Sequence, residues 1–417
     1  MPIKHSYKFL LIIFFSYLVI VSPSFANKCF DQMLFDGTEK LATYAIDSTG
    51  NWWAVTQPFS DNYRLCVNGK KTKVYQNIQA PVFSNDGERW ACFVKDYSQW
   101  YLLTNDTIIS LSVFLPGVIK FSPNSEHLVY SYFEGSNEHV VLPGRTFTIV
   151  NRLSDIFLSM NAEKFAFTGY RGDKQVLNVN GVETSISDSV LPVGFWYDGR
   201  FVYASLTGSN WEIYRADQQL TEFYQTIIDY KINLKGTVVA FLVRQPGGKA
   251  LSVLISDEYR EPLLGKPYDA INSLALHPEL AMIAFKAVNY GVNYVVLNNT
   301  EYFGGTESTG PPQFSYNGEE LFFTGYDLES FININGVKTS IQAQLDTELR
   351  YAKKPGSNTI AYSTSSSMIM RDIKTGTLYA GMMTDNMIQP IYNWKKGCYE
   401  ALGNINNRLY QMVCYPE

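Results

Sequence analysis

Short runs that alternate apolar and polar residues, each bounded by turn-forming residues, recur along the chain from about residue 40 to its end. Runs such as residues 90–94 and 100–103 are rich in aromatic and aliphatic side chains, as expected of half-buried strands. After residue 27, no apolar pattern with the 3.6-residue period of a helix extends over ten residues. The pattern therefore predicts an all-β protein.

The stretch at residues 119–132 is the clearest copy of a strand–turn–strand repeat that spans the chain. In each copy one apolar anchor precedes a turn, as Phe121 does in Phe-Ser-Pro-Asn-Ser. The anchors are Ile46, Phe83, Phe121, Leu158, Phe195, Ile232, Leu276, Phe314 and Ala352. Their successive spacings are 37, 38, 37, 37, 37, 44, 38 and 38 residues. These spacings are close to the length of one propeller blade, about 40 residues.

A second turn signal, often Asn-Gly, follows each anchor by about 22 residues, as at Asn68, Asn180 and Asn335. Asn-Gly favours a two-residue hairpin because both central positions need positive φ. Each unit therefore accommodates four short antiparallel strands, A to D. The A–B turn lies at the anchor and the B–C hairpin about 13 residues later. The repeat predicts a β-propeller built from units of about 38 residues.

The two ends of the chain have complementary phases. Asp36-Gly37 falls at the phase of a C–D turn, so residues 29–45 are predicted to supply outer strands. Residues 388–414 would supply strands A and B, or strands A to C. Together the two ends would complete one blade and close the ring. Nine anchors plus this closing blade make ten units, whereas propellers typically have about four to eight blades. We therefore expect roughly 8–10 blades, in one ring or in two smaller ones.

The one candidate domain boundary is the long interval between Ile232 and Leu276. It contains Gln-Pro-Gly-Gly at residues 245–248, which fits a B–C hairpin with an insertion equally well. Since no Pro-rich, Ser-rich or charged linker occurs elsewhere, one continuous propeller domain over residues 27–417 is favoured.

The turn motif resembles that of a known family. Phe-Ser-Pro-Asn-Ser-Glu-His-Leu-Val-Tyr at residues 121–130 and Phe-Ser-Asn-Asp-Gly-Glu-Arg-Trp-Ala-Cys at 83–92 look like the repeat of TolB-type, WD-like propellers. The resemblance covers most of the chain and is specific in about five units. It implies the fold and no particular function, because the family includes periplasmic interaction proteins and propeller domains of prolyl-oligopeptidase-like peptidases. The sequence shows neither the helical N-terminal domain of TolB nor a hydrolase domain.

The N-terminus has the pattern of a secretory signal peptide. Lys4, His5 and Lys8 precede an apolar run over residues 9–21, and small residues precede a cleavage site after Ala26. This predicts a signal peptide over residues 1–26 and a periplasmic or secreted mature protein. No later apolar run reaches the roughly 18 residues of a membrane span, so no stable membrane insertion is expected.

The charge balance bears on which partners the protein can have, and the cysteine content on whether disulfides stabilise the fold. Lys plus Arg number 34 and Asp plus Glu 39, without long runs of one sign, so no nucleic-acid partner is expected. Five cysteines are few for an exported chain of this length. Cys398 and Cys414 flank the predicted last hairpin and are expected to form a disulfide. The pairing of Cys29, Cys66 and Cys92 stays open.

No motif in the sequence predicts a catalytic residue, a metal site or a cofactor. There is no Gly-x-Ser-x-Gly elbow, and no His-x-x-x-His, Cys-x-x-Cys or calcium-loop pattern. His127 and His277 lie at predicted turns, and most carboxylates are explained as turn formers. A propeller enzyme, a hydrolase or lyase of glycans or peptides with a site at the central axis, is the alternative function.

The B–C hairpin loops are predicted to cluster on one ring face with the D–A connections. Nearly all combine an aromatic residue with amides, hydroxyls or carboxylates, a composition that suits recognition. The candidate binding residues are Tyr97, Trp100, Tyr170, Arg171, Trp211, Tyr290 and Tyr326. The competing interpretation is that these rings fold back between blades. The sequence thus predicts an exported, monomeric propeller that binds or scaffolds an unidentified protein or glycan through one loop face.

Overall fold

The structure is a computed structural model that describes residues 29–111, 115–221, 223–259, 261–341, 351–364 and 366–416. These residues form ten antiparallel sheets and no helix, so none of them belongs to a helix that could span a membrane. Each sheet is one blade with strands A to D in the predicted order. The all-β propeller is confirmed, and the blade count is ten. The signal peptide predicted over residues 1–26 lies outside the described residues.

Blades 1 to 5 follow one another along the chain, and strand A of blade 2 is split in two. Their strands A to D are Lys40–Ile46, Trp52–Phe59, Asn62–Val67 and Lys70–Tyr75 in blade 1; Asn77–Ile78 with Val82–Phe83, Trp90–Asp96, Gln99–Thr104 and Ile108–Ser110 in blade 2; Leu115–Phe121, Leu128–Glu134, Asn137–Leu142 and Arg145–Ile149 in blade 3; Phe157–Leu158, Phe165–Arg171, Lys174–Val179 and Val182–Ser187 in blade 4; and Ser189–Phe195, Phe201–Thr207, Asn210–Arg215 and Gln218–Gln219 in blade 5.

Blades 6 to 10 complete the ring, and strand A is split again in blades 8 and 10. Their strands A to D are Thr226–Ile232, Val238–Arg244, Ala250–Ser256 and Leu263–Leu264 in blade 6; Ala270–Leu276, Ile283–Asn289, Val292–Leu297 and Thr300–Gly305 in blade 7; Ser308–Thr309 with Gln313–Phe314, Leu321–Asp327, Glu329–Ile334 and Val337–Ile341 in blade 8; Ala352–Lys353, Thr359–Ser363, Met368–Asp372 and Leu378–Ala380 in blade 9; and Asn386–Met387 with Ile391–Asn393, Cys398–Ile405, Arg408–Cys414 and Cys29–Phe35 in blade 10.

The hydrophobic core lies between the blades. Alternate residues of a strand point to opposite faces of its sheet. In strand B of blade 2, Phe93 therefore packs against blade 3, while Cys92 and Val94 pack against blade 1. Every pair of neighbouring blades shares such a cluster, including blades 10 and 1, where Trp52 meets Leu402. The clusters make one closed ring, which excludes the alternative of two smaller rings.

The N-terminal strand closes the ring as strand D of blade 10. Cys29–Phe35 pairs antiparallel with Arg408–Cys414, which confirms the predicted pairing of the two chain ends. Asp36-Gly37 does not occupy a C–D turn, however. It lies in the connection between blades 10 and 1, because residues 29–35 supply a single outer strand and Lys40–Ile46 already begins blade 1. The long interval between Ile232 and Leu276 is not a domain boundary. Residues 245–249 within it form the B–C hairpin of blade 6, the second interpretation given above.

In most blades the residue after the anchor caps the A–B turn from its side chain. Ser84 Oγ accepts a hydrogen bond from the N–H of Arg89 at 3.0 Å. His277 Nδ1 takes the same role in blade 7 and accepts from the N–H of Glu279 at 3.0 Å and of Leu280 at 2.8 Å. Burial lowers the pKa of His277, which favours the neutral imidazole that can accept. The repeated Phe-Ser signal thus marks turns whose backbone N–H groups need an acceptor.

The asparagine of the C–D turn ties that turn to strand B. Asn180 has a positive φ of 53°, and its Oδ1 accepts a hydrogen bond from the N–H of Phe165 at 3.0 Å. Asn68, Asn298 and Asn335 do the same in blades 1, 7 and 8. Asparagine tolerates the left-handed conformation and supplies the acceptor, which explains why it recurs in this turn.

Replacing Asn180 by Ala is expected to lower the free energy of unfolding by about 1–3 kcal/mol, because the N–H of Phe165 loses its acceptor. Asn180→Asp keeps an acceptor oxygen and is the matched control, with a smaller expected loss. Urea denaturation followed by circular dichroism measures both. Equal losses in the two variants would show that the acceptor contributes nothing.

The predicted disulfide between Cys398 and Cys414 is wrong, because Cys414 is bonded to Cys29. Cys29 and Cys414 are direct partners across strands D and C of blade 10, with Cα atoms 4.0 Å apart. In the last hairpin it is Tyr399 that lies opposite Cys414, so Cys398 is one residue out of register and faces the other side of the sheet. Cys398, Cys66 and Cys92 are free and buried.

Candidate functional site

Each blade has two ends that carry different loops. Strand B runs antiparallel to strands A and C, so A–B and C–D turns share one end and B–C turns and D–A connections share the other. Neighbouring blades keep like ends together, since Asn85 Nδ2 donates to the carbonyl of Pro123 at 3.0 Å and Tyr197 N–H to that of Gly236 at 2.9 Å, between A–B turns. We call these the A–B end and the B–C end.

The B–C end carries the most exposed large apolar side chains of the described residues. The five with the largest exposed fractions are Leu328 at 90%, Tyr290 at 88%, Tyr97 at 80%, Met383 at 74% and Phe59 at 70%. Met383 lies in the D–A connection between blades 9 and 10, and the other four lie at B–C hairpins. Such side chains gathered at one end of a molecule are the feature expected of a contact surface.

The backbone at three of these tips is also unusual. Tyr97, Tyr290 and Leu328 are turn residues with φ of 53°, 50° and 63°. Bulky residues are rarely found in this left-handed region, where Gly, Asn or Asp would be less strained. The side chains are neither turn formers nor core residues there, which points to a role outside the fold.

Of the seven predicted binding residues, Trp100, Trp211 and Tyr326 are half-buried. Trp100 packs against the cluster between blades 2 and 3, and Trp211 against the one between blades 5 and 6. For these two tryptophans the structure thus supports the competing interpretation, in which the rings belong to the core between blades.

Trp211→Ala is expected to lower the free energy of unfolding by about 2 kcal/mol, somewhat less than the 3–5 kcal/mol of a fully buried aromatic. Tyr290→Ala, the matched control at an exposed tip, is expected to change it by less than about 0.5 kcal/mol. Thermal and urea unfolding of both variants measure the difference. Losses of similar size at the two positions would contradict this division of the predicted residues.

Tyr170 and Arg171 lie at the end of strand B of blade 4 and are both exposed. Arg171 Nη1 forms an ion pair with Glu183 Oε2 of strand D at 2.9 Å. The seven predicted residues belong to blades 2, 4, 5, 7 and 8, so they form separate tips around the ring and no single cluster.

Ion pairs and backbone hydrogen bonds hold the B–C tips in place. Asp269, in the connection to blade 7, is paired with Lys249 and accepts the N–H of Tyr290 at 2.7 Å. Asp188 does the same with Lys174 and the N–H of Gly208. The hydrogen bond from its lysine holds the pKa of each aspartate below its ordinary value. Tips fixed in this way lose little freedom on binding.

Sequence reasoning did not select Phe59, Leu328 or Met383 as candidate binding residues, although Phe59 and Leu328 lie in predicted B–C loops. The search weighted aromatic content, whereas Leu328 and Met383 are aliphatic or thioether side chains. The signal that could have found Leu328 is a bulky apolar residue at the turn of a predicted B–C hairpin, between Asp327 and Glu329.

The A–B end carries a second set of exposed apolar residues that sequence reasoning also missed. They occupy one position of the repeat, two residues after the apolar residue that precedes the A–B turn. In blades 5, 6, 8 and 10 this position holds Tyr197, Leu234, Tyr316 and Trp394, which are all exposed. The rings of Tyr316 and Trp394 stack at 5.8 Å with an interplanar angle of 14°, so the turns of blades 8 and 10 meet across blade 9.

Beside Tyr316 the channel-side strands A of blades 6, 7 and 8 line a concavity of about 640 Å³. One carboxylate lines it, that of Asp229. Its Oδ1 accepts the N–H of Tyr230 at 2.8 Å and its Oδ2 the N–H of Leu274 at 3.0 Å. Asp229 therefore joins strands A of blades 6 and 7. No group of three or more potential metal ligands occurs among the described residues.

Comparison with known proteins gives no family for this chain: no family model and no curated protein matches it. Among solved structures it is similar to a eukaryotic initiation factor, at 12% identity over 72% of this chain and 90% of that chain with a TM-score of 0.44. TolB from Acinetobacter baumannii matches at 12% identity over 61% of this chain and 75% of that chain, with a TM-score of 0.30. The Dos1 propeller matches at 8% identity over 93% of this chain and 94% of that chain, with a TM-score of 0.38. The propeller assignment accordingly rests on the strand pairing of the chain itself.

Proposed function

We propose that the protein is an exported binding module of TolB-type, WD-like repeat that holds a protein partner through its B–C end. The observation that carries the proposal is the gathering of the five most exposed large apolar side chains at that end. Export rests on the signal-peptide pattern over residues 1–26, and the mature protein would act as a monomer in the periplasm or outside the cell.

The chemistry of the tips favours a protein partner over a glycan at this end. Leu328, Met383 and Phe59 offer aliphatic, thioether and aromatic surface with no polar group to meet sugar hydroxyls. The tips also stand on different blades, so one partner must be wide enough to touch several of them. Tyr97 on blade 2 and Tyr290 on blade 7 are five blades apart, so the interface must be larger than the ordinary size of about 800 Å² on each partner.

The proposal is tested by removing apolar surface at the B–C end. The variant Tyr97→Ser, Tyr290→Ser, Leu328→Ser is compared with the wild type as bait for proteins of the exported fraction, and the affinity of the captured partner is then measured. Binding hot spots lose about 2 kcal/mol or more each, so the affinity is expected to fall by at least about 100-fold.

The matched control removes exposed apolar surface from the D strands, in the variant Val182→Ser, Val337→Ser, Leu378→Ser. Its affinity is expected to stay within about threefold of the wild type, since isolated surface apolar residues contribute little. Unchanged binding of the B–C variant, or an equal loss in both variants, would contradict a binding face at this end.

A further inference from the structure

The concavity on the A–B end combines ring faces with free polar groups. Tyr316 lines its rim and stacks on Trp394, and Tyr392 tilts against Tyr316 at 6.1 Å. Tyr316 is 55% exposed and Trp394 is 44% exposed, so both rings keep a surface open to solvent. A volume of about 640 Å³ lies within the usual range of ligand sites, about 300–1,000 Å³.

Most polar side chains of the wall are already used by the fold. Asp229, Asn233 and His277 are occupied by hydrogen bonds with backbone and side-chain groups of the protein itself. Lys231 and Gln313 line the same concavity, and neither side chain forms a hydrogen bond or ion pair with another described residue. The Lys231 ammonium and the Gln313 amide therefore remain for a ligand, together with the hydroxyl of Tyr316.

We propose that this concavity binds a short acidic oligosaccharide. The C–H groups on the flat face of a sugar ring are suited to the electron-rich face of Tyr316, which lines the concavity and is held by its stack on Trp394. A carboxylate on the sugar would pair with the Lys231 ammonium, and hydroxyls would bond the Gln313 amide. The site lies at the end opposite to the proposed protein-binding face, so it stands independently of that function.

The wall disfavours an extended peptide as the occupant. A peptide that adds a strand to a sheet edge needs a row of backbone N–H donors. Pro278, Pro311 and Pro312 interrupt this row in blades 7 and 8, since proline has no N–H. Sugar hydroxyls require no such regular spacing of donors.

The proposal is tested with a glycan array of acidic and neutral oligosaccharides, followed by calorimetric titration with pairs that differ by one carboxylated sugar, such as sialyllactose and lactose. We expect the acidic member to bind at least about 10-fold more tightly, which corresponds to about 1.4 kcal/mol. Tyr316→Ala is expected to weaken it by a similar factor, and Lys231→Met to abolish the preference within the pair.

Tyr197→Ala is the matched control, an exposed aromatic residue in the corresponding turn of blade 5 that lies outside the concavity, and it should leave binding unchanged. All three side chains are exposed, and melting curves check that each variant folds. The proposal is overturned if no acidic glycan binds, if Tyr316→Ala binds as the wild type does, or if the acidic preference survives Lys231→Met.

Discussion

A chain that lacks Cys29–Phe35 is expected to lose its single cooperative unfolding transition. This segment is strand D of blade 10, and it pairs with Arg408–Cys414 along nearly its whole length. Without it the strand of Arg408–Cys414 becomes an unpaired edge. Phe35 also leaves the cluster in which Trp52 of blade 1 meets Leu402 of blade 10, so the contact between the first and last blades is weakened.

Circular dichroism and intrinsic fluorescence during urea denaturation measure this effect, since one transition seen by both probes indicates cooperative unfolding. The matched control restores residues 29–35 at the other end of the chain, joined after residue 416 by a Gly-Ser linker. This rearranged chain is expected to regain a single transition. A deletion variant with the same urea unfolding curve as the wild type would show that closure does not stabilise the ring.

Loss of the Cys29–Cys414 disulfide in a Cys29→Ser, Cys414→Ser variant is expected to lower the free energy of unfolding by about 5 kcal/mol. The two cysteines are 385 residues apart, so the bond restricts nearly the whole unfolded chain. By the loop-entropy argument, a 100-residue loop already contributes about 4.7 kcal/mol, and the contribution grows slowly with length.

Cys398→Ala is the control for this prediction, because Cys398 is buried but bonded to no other cysteine. It removes one sulfur from the core and is expected to cost about 1 kcal/mol. Peptide mapping of the unreduced protein should recover Cys29 linked to Cys414. Recovery of Cys398 linked to Cys414 would contradict the register of blade 10.

The ring could be predicted from sequence because two structural requirements recur in most blades. An A–B turn needs an acceptor for its backbone N–H groups, and a C–D turn needs a residue that tolerates positive φ. Ser84 and Asn180 illustrate these two positions, which recur at spacings of about one blade. The nine anchors and the shared closing blade correspond to the ten blades of the structure, which lie within the predicted range of roughly 8–10.

The disulfide could not be predicted because it depends on register. Whether Cys398 or Tyr399 lies opposite Cys414 is decided by the two turn residues of the hairpin, Asn406 and Asn407. A shift of one residue moves a side chain to the other face of the sheet. The long-range pairing that brings Cys29 beside Cys414 leaves no local pattern in the sequence.

The exposure of the candidate binding residues could be predicted only in part. The spacing from each anchor predicts that the B–C loops lie at one end of the blades. Whether a given loop side chain is buried depends on its contacts with the neighbouring blade. Tyr97 and Tyr290 stand at the turn itself and are exposed, whereas Trp211 lies one residue into strand C and packs between blades. Tyr316 and Trp394 at the A–B end meet through tertiary structure alone.

The proposed role is tested most directly by covalent footprinting of the protein alone and in complex with the partner captured from the exported fraction. Reaction with a small carbene reagent, followed by mass spectrometry, reports the exposure of individual side chains. If the partner covers the B–C end, labelling of Tyr97, Tyr290 and Leu328 should fall several-fold while that of Val182 on the outer rim stays constant. Protection confined to the rim, or to Tyr197 at the A–B end, would contradict the proposal.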